Sequence, residues 1–162
     1  IQAVFTRVLE PFCKNLEHNL DQLDTKSISV RCILLSAGKA FVQTQQEVGE
    51  KPERFARLMT LAYTQSQEHL RQHCAQRFGS TLERFTRLLQ EAAPTTDFMQ
   101  FYWRMNFMLG ASLFTLSSFE SIVAMLGKDS EQVPVDEMLK YLVPAMTGML
   151  QSDQTVISNE CG

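Results

Sequence analysis

The stretch FMQFYWRMNFMLGASLFTLSSFESIVAMLG, Phe98 to Gly127, decides the fold. It holds 30 residues and only two charges, Arg104 and Glu120. Its wealth of strong helix formers makes it a helix rather than a loop. Placed on a helical wheel at about 100° per residue, Trp103, Phe107, Phe114 and Met125 fall on one side. Met105, Leu109, Leu116 and Val123 fall opposite, and Met108 and Phe119 fill another sector. A helix that is apolar all round is buried all round. A transmembrane span is one solution. Glu120, Asn106 and the serines at 112, 117, 118 and 121 argue against it, and no other segment is able to span. The better solution is a helix over about 97–126 with two different neighbours. One side faces the protein's own core. Gly110, Ser117, Ser121 and Ala124 form a seam of small residues for a partner helix.

Working outward, the rest of the chain reads as helices in series. Val4, Phe5, Val8, Leu9, Phe12, Leu16, Leu20 and Leu23 recur at steps of three and four over about 1–23. Pro11 sits inside that helix, where it removes a hydrogen bond and is expected to kink it. Ser27 or Ser29 caps the next helix, whose stripe is Val30, Ile33, Leu34, Ala37 and Phe41, and Gly49 ends the region. Pro52 opens a short helix carrying Phe55, Leu58, Met59, Ala62 and Tyr63. A long amphipathic helix follows, with Leu70, Cys74, Phe78, Leu82, Phe85, Leu88 and Leu89, until Pro94 stops it. Gly127 and Pro134 bound a loop. The last helix runs over 135–150 with Met138, Leu139, Leu142, Val143, Met146 and Met149. No strand pattern and no repeat is visible, so the fold class is all-α. The tail, 151–162, is polar and expected to be disordered.

Composition narrows the function classes. At 162 residues the chain suits one domain with a real core. The net charge of −3 leaves these residues no basic footprint for nucleic acid. The cysteines, Cys13, Cys32, Cys74 and Cys161, form no CxxC pair, and the first three lie on helical patterns as small apolar residues. A reduced, cytoplasmic chain is the expectation. A secreted helical bundle with two disulfides is the alternative on count alone. His69 and His73 have zinc spacing, but they sit in a Gln-, Glu- and Arg-rich segment that reads as a solvated face, so no metal site is expected. The scattered glycines make no phosphate loop, and nothing pairs a nucleophile with a base. No enzyme activity and no cofactor are expected.

Eleven phenylalanines and eight methionines supply wall material for an apolar ligand site. The candidate ligand residues are Phe12, Leu16, Leu34, Phe41, Met59, Tyr63, Phe85, Trp103 and Phe107. Asn106 is a polar candidate, with Arg104 and Gln67 nearby; Arg104 is able to meet a carboxylate or to serve an internal pair. The last helix is also apolar beyond one stripe. With the Phe98–Gly127 helix it forms half of an intersubunit four-helix bundle in a homodimer. The expected interface residues are Gly110, Ser117, Ser121, Ala124, Met138, Leu142, Met146 and Met149. A monomeric bundle is the alternative.

The opening IQAVFTRVLEPF resembles the helix that follows the DNA-binding domain in TetR-type repressors. LAYTQSQEHLR (Leu61 to Arg71), FYWRMNFMLGASLFTLS (Phe101 to Ser117) and LVPAM (Leu142 to Met146) are similar to the regulatory half of its PsrA-like, fatty-acid-responsive branch. Asn106 stands where that branch carries a histidine. The resemblance implies an effector-binding and dimerisation domain over residues 1–150. It implies a long-chain fatty acid or acyl-CoA as effector, and operator DNA held only by an N-terminal helix-turn-helix domain absent from this chain. The effector would change the separation of the two DNA-binding heads through the first helix, with Pro11 as a bending point. A helical carrier of hydrophobic ligands, or an enzyme, without DNA function is the alternative.

Overall fold

The computed structural model describes residues 2–24, 28–64, 68–94 and 97–152, with the side chains of 2, 4, 5 and 62–71 outside the description. Among the described residues there are seven α-helices, one short 3-10 turn and no strand. The chain is all-α.

The helix ends follow local chemistry. α1 spans Gln2–Asp21 and continues through Pro11. α2 spans Val30–Val48. Ser29 caps it by accepting from the Cys32 N–H at 3.2 Å. Ser27 lies outside the described residues. Gly49 closes α2 in the left-handed region at φ 69°, and its N–H returns to the Gln45 carbonyl at 2.9 Å. That conformation is nearly free only for glycine. α3 spans Pro52–Thr64 and α4 spans Glu68–Ala92. Asp97 caps α5, Phe98–Ser117, by accepting from the Met99 N–H at 2.9 Å.

The Phe98–Gly127 stretch is not one helix. It breaks at Ser118 into α5 and α6, Phe119–Met125, which are bent by 72°. Ser117 Oγ donates to the Phe114 carbonyl at 3.0 Å, and the Ser118 N–H donates to the same oxygen. Paired serines that bond the preceding turn are a recognised cause of helix breaks. The start of α6 is held from outside. The Glu120 N–H donates to Glu53 Oε1 at 3.3 Å, and Lys51 Nζ meets the Glu120 carboxylate at 2.8 Å. Gly127, at φ 71°, turns the chain away, and α7 spans Val135–Gln151. No single helix among the described residues is long and apolar enough to cross a membrane.

Two packed clusters form the interior. One joins Leu16 and Leu20 of α1, Ile33 and Leu34 of α2, Leu89 of α4, Phe101 and Met108 of α5, and Val143, Met146 and Leu150 of α7. The other joins Val8 and Leu9 of α1, Phe41 of α2, Phe55 and Leu58 of α3, Phe78 of α4 and Leu116 of α5. Phe12 packs against both. Arg84 of α4 clamps the outside of α1 through Asp21 and Glu17, and its hydrogen bond to Asp21, then that to Glu17, holds its guanidinium above the usual arginine range.

Candidate functional site

A cavity of about 170 Å³ lies at the seam between the two clusters. α1 contributes Phe12 and Leu16, and α2 contributes Leu34, Ala37, Gly38 and Phe41. Phe55 and Met59 come from α3, and Leu82, Phe85 and Thr86 from α4. α5 lends Met105, Met108, Leu109, Ser112, Leu113 and Leu116, and α7 lends Leu139, Leu142 and Met146. Helical periodicity puts these residues inward. Leu34, Gly38 and Phe41 lie one turn apart on α2, as do Met105, Met108, Leu109 and Ser112 on α5.

The wall is apolar and aromatic on one side. The Phe55 ring meets Phe12 edge-on at 5.2 Å and Phe41 edge-on at 4.9 Å, the geometry that aromatic quadrupoles favour. Four wall residues are methionines, whose unbranched side chains refill irregular space. No charged residue lines the cavity among the described residues. Thr86 is exposed and marks an edge open to solvent. The Ser112 hydroxyl is already spent: its oxygen lies 2.7 Å from the Met108 carbonyl, to which it donates, and 2.8 Å from Met146 Sδ. A void of this kind offers water too few partners and is suited to an apolar guest. Its volume is below the roughly 300–1,000 Å³ usual for ligand pockets, so a long guest requires the methionine walls to move.

The sequence-based candidates divide cleanly. Phe12, Leu16, Leu34, Phe41, Met59 and Phe85 all line the cavity. The side chains of Tyr63 and Gln67 lie outside the described residues. Trp103, Asn106 and Phe107 are not brought to the cavity. Trp103 is 53% exposed and Phe107 62% exposed, and Asn106 donates to the Tyr102 carbonyl at 2.8 Å on the outer surface. The reason is the phase of α5: once Met105, Met108 and Leu109 turn inward, Trp103 and Phe107 turn out. Arg104 takes the internal role, donating to the Leu150 carbonyl at 3.3 Å in the last turn of α7.

The expected interface residues divide too. Gly110, Ser121 and Ala124 are exposed, and Ser117 is half-buried. The bend at Ser118 turns Ser121 and Ala124 off the line of Gly110, so the small residues do not form one straight seam. On α7, Met149 is on the surface, whereas Met146 is buried, Leu142 lines the cavity and Met138 packs against the second cluster. Met99, Trp103, Phe107 and Phe114 of α5 form an exposed apolar face. Trp103 and Phe107 stack there at 6.0 Å and 28°. Phe114 is 67% exposed. Rows of exposed aromatics of this kind mark interaction surfaces on soluble domains.

Cys13, Cys32 and Cys74 are free thiols. Burial, then Glu17 and Cys74, pushes the Cys13 thiol up to about 12, which leaves it inert. Among the described residues, no group of three metal-ligating side chains converges; the side chain of His69 and all of Cys161 lie outside them.

No curated protein matches the chain significantly. Residues 38–149 match a family model described as "Tetracyclin repressor-like, C-terminal domain". The match runs from Gly38 in the cavity wall to Met149 near the end of α7. That family comprises the regulatory domains of TetR-type regulators, which in general dimerise and take small-molecule effectors. The matched span, together with the all-α fold, establishes that this chain belongs to the tetracycline-repressor-like C-terminal domain family.

Proposed function

We propose that the chain is the effector-sensing half of a TetR-type transcriptional repressor, and that its effector carries a long acyl chain, as a fatty acid or acyl-CoA. The observation that carries this reading is the cavity between the two core clusters: apolar, uncharged among the described residues, and walled partly by methionine. Each methylene buried there contributes about 0.8 kcal/mol. A guest longer than the resting cavity must push its walls apart, and those walls belong to α1, α2, α3, α4, α5 and α7 at once. Binding therefore does mechanical work on the whole bundle. α1 would carry that displacement to a helix-turn-helix domain and release operator DNA, in the cytoplasm. The domain acts by binding, not by catalysis.

The same reading includes a homodimer through the outer face of α5, with Trp103, Phe107, Gly110 and Phe114 at its centre and Met149 at its edge. The alternative, a carrier without DNA function, would share the cavity but not the coupling. The test is the whole regulator on its operator. Palmitoyl-CoA or palmitate is expected to release the DNA, whereas octanoate is not. An operator complex indifferent to every acyl compound would contradict the proposal.

A further inference from the structure

The cavity poses a problem for an acyl effector that the surface next to it solves. A carboxylate or phosphate taken into a wall without a counter-charge would lose hydration for nothing in return. The head must therefore lie outside while the tail lies in. Just across Leu139 is a surface groove of about 430 Å³ between α2 and α7. Leu139 lines both the groove and the inner cavity. Among the described residues only Leu139 is shared by the two linings, and it packs against Gly38, where a β-carbon would lie 3.2 Å from Leu139 Cδ1. A leucine side chain held against a helix surface without a β-carbon is a movable partition, since its rotamers interconvert at small cost.

The groove has the chemistry that the cavity lacks. Arg31, Lys39 and Lys140 line it, against one carboxylate, Asp136. Lys140 is paired with Glu137. Arg31 and Lys39 are exposed and make no ion pair among the described residues. Leu35, Val42, Val143 and Pro144 add apolar lining to the groove beside Leu139. On a chain of net charge −3, two uncommitted cations beside the partition of an apolar cavity are a site for an anionic amphiphile.

We infer that the groove between α2 and α7 holds the anionic head of the effector, at Arg31 and Lys39, while its tail passes Leu139 into the cavity. This rests on the acyl-effector reading above. The shared chemistry is an anionic oxygen group at the end of an alkyl chain; a fatty carboxylate and the phosphates of an acyl thioester both supply it.

The test is calorimetric titration of the wild type, of the Arg31→Gln/Lys39→Gln double variant and of Arg77→Gln, a control on an exposed cation of α4 that pairs with Glu10 and lines neither the groove nor the cavity. The probes are dodecanoate, dodecanoyl-CoA and neutral 1-dodecanol. The double variant is expected to bind an anionic probe roughly tenfold more weakly or worse, and to bind dodecanol as the wild type does. A loss confined to the thioester identifies its phosphates as the head; a loss with both identifies the carboxylate as sufficient. The inference is overturned, with the acyl reading intact, if the anions bind the double variant as well as the wild type. It is equally overturned if dodecanol or the Arg77→Gln control shows the same loss. If none of the three probes, nor palmitate in their place, binds the wild type, the acyl reading falls and the inference falls with it. All three substituted side chains are on the surface, and circular dichroism confirms that each variant is folded.

Discussion

Gly38 of α2 lies against Leu139 of α7 so closely that a β-carbon on Gly38 would stand 3.2 Å from Leu139 Cδ1 and 3.6 Å from Cδ2. Gly38 is helical, so its role is space and not backbone freedom. Alanine there would gain about 1 kcal/mol of helix propensity and would push Leu139 aside. Gly38→Ala is expected to change the unfolding free energy by less than about 1 kcal/mol, because the two effects oppose. It should nonetheless weaken dodecanol binding several-fold, because the methyl and the displaced Leu139 narrow the cavity. Urea unfolding and calorimetry check the two halves separately, and unchanged binding would show that Leu139 is not the partition.

Phe55 joins α3 to α1 and α2 through edge-on contacts with Phe12 and Phe41. Phe55→Ala is expected to cost about 3–5 kcal/mol, the range for an emptied aromatic core site. Phe55→Leu should cost clearly less, since it keeps most of the volume and loses the ring contacts. Urea midpoints at one fixed protein concentration measure both. A loss below about 1 kcal/mol for alanine would mean that the aromatic wall is not packed as described.

The outer face of α5 predicts an assembly. Wild type should be a dimer at micromolar concentration, and Phe107→Arg should be a folded monomer, because an unpaired charge cannot be buried cheaply. Trp103 stacks on Phe107, so its emission should shift to the red when the face is exposed to water. Acyl binding should survive in this variant, since Phe107 is outside the cavity lining. Light scattering that finds the wild type monomeric would remove the interface.

Cys13 gives a pH dependence. Burial, with help from Glu17 and Cys74, raises its thiol to about 12 from the ordinary 9.0. Between those values the folded chain holds a proton that the unfolded chain has released. Stability therefore falls as pH rises above about 9. Cys13→Ala should flatten the dependence in that range while lowering stability overall. Among the three described cysteines, a thiol reagent at neutral pH should modify exposed Cys32 first and Cys13 only on unfolding.

Much of the fold was legible because helix ends are written in local chemistry. Ser29, Gly49, Pro52, Pro94 and Asp97 mark their boundaries by caps and ring constraints that need no tertiary partner. The break at Ser118 was not legible. Apolar periodicity runs straight through Ser117 and Ser118, and what α6 meets across the bend, Glu53 and Lys51 outside and a buried seat for Phe119 and Val123 inside, is set by tertiary packing. The cavity was half legible for a related reason. Phe12, Leu16, Leu34, Phe41, Met59 and Phe85 lie on helices with one apolar face, so their direction follows from the pattern. α5 is apolar on both sides, and no polar face tells which side turns in. Met105, Met108, Leu109 and Ser112 were missed for Trp103, Asn106 and Phe107. The available signal was Gly110, which shares the Trp103 side and offers a core no side chain to pack.

The central claim, that an alkyl chain is buried between the two core clusters, is tested most directly by titrating the chain with alkanoates of increasing length. Affinity should rise by about 0.8 kcal/mol, or about fourfold, with each added methylene, and then level off when the cavity can expand no further. Palmitate would then bind far more tightly than octanoate. An affinity independent of chain length would contradict the account.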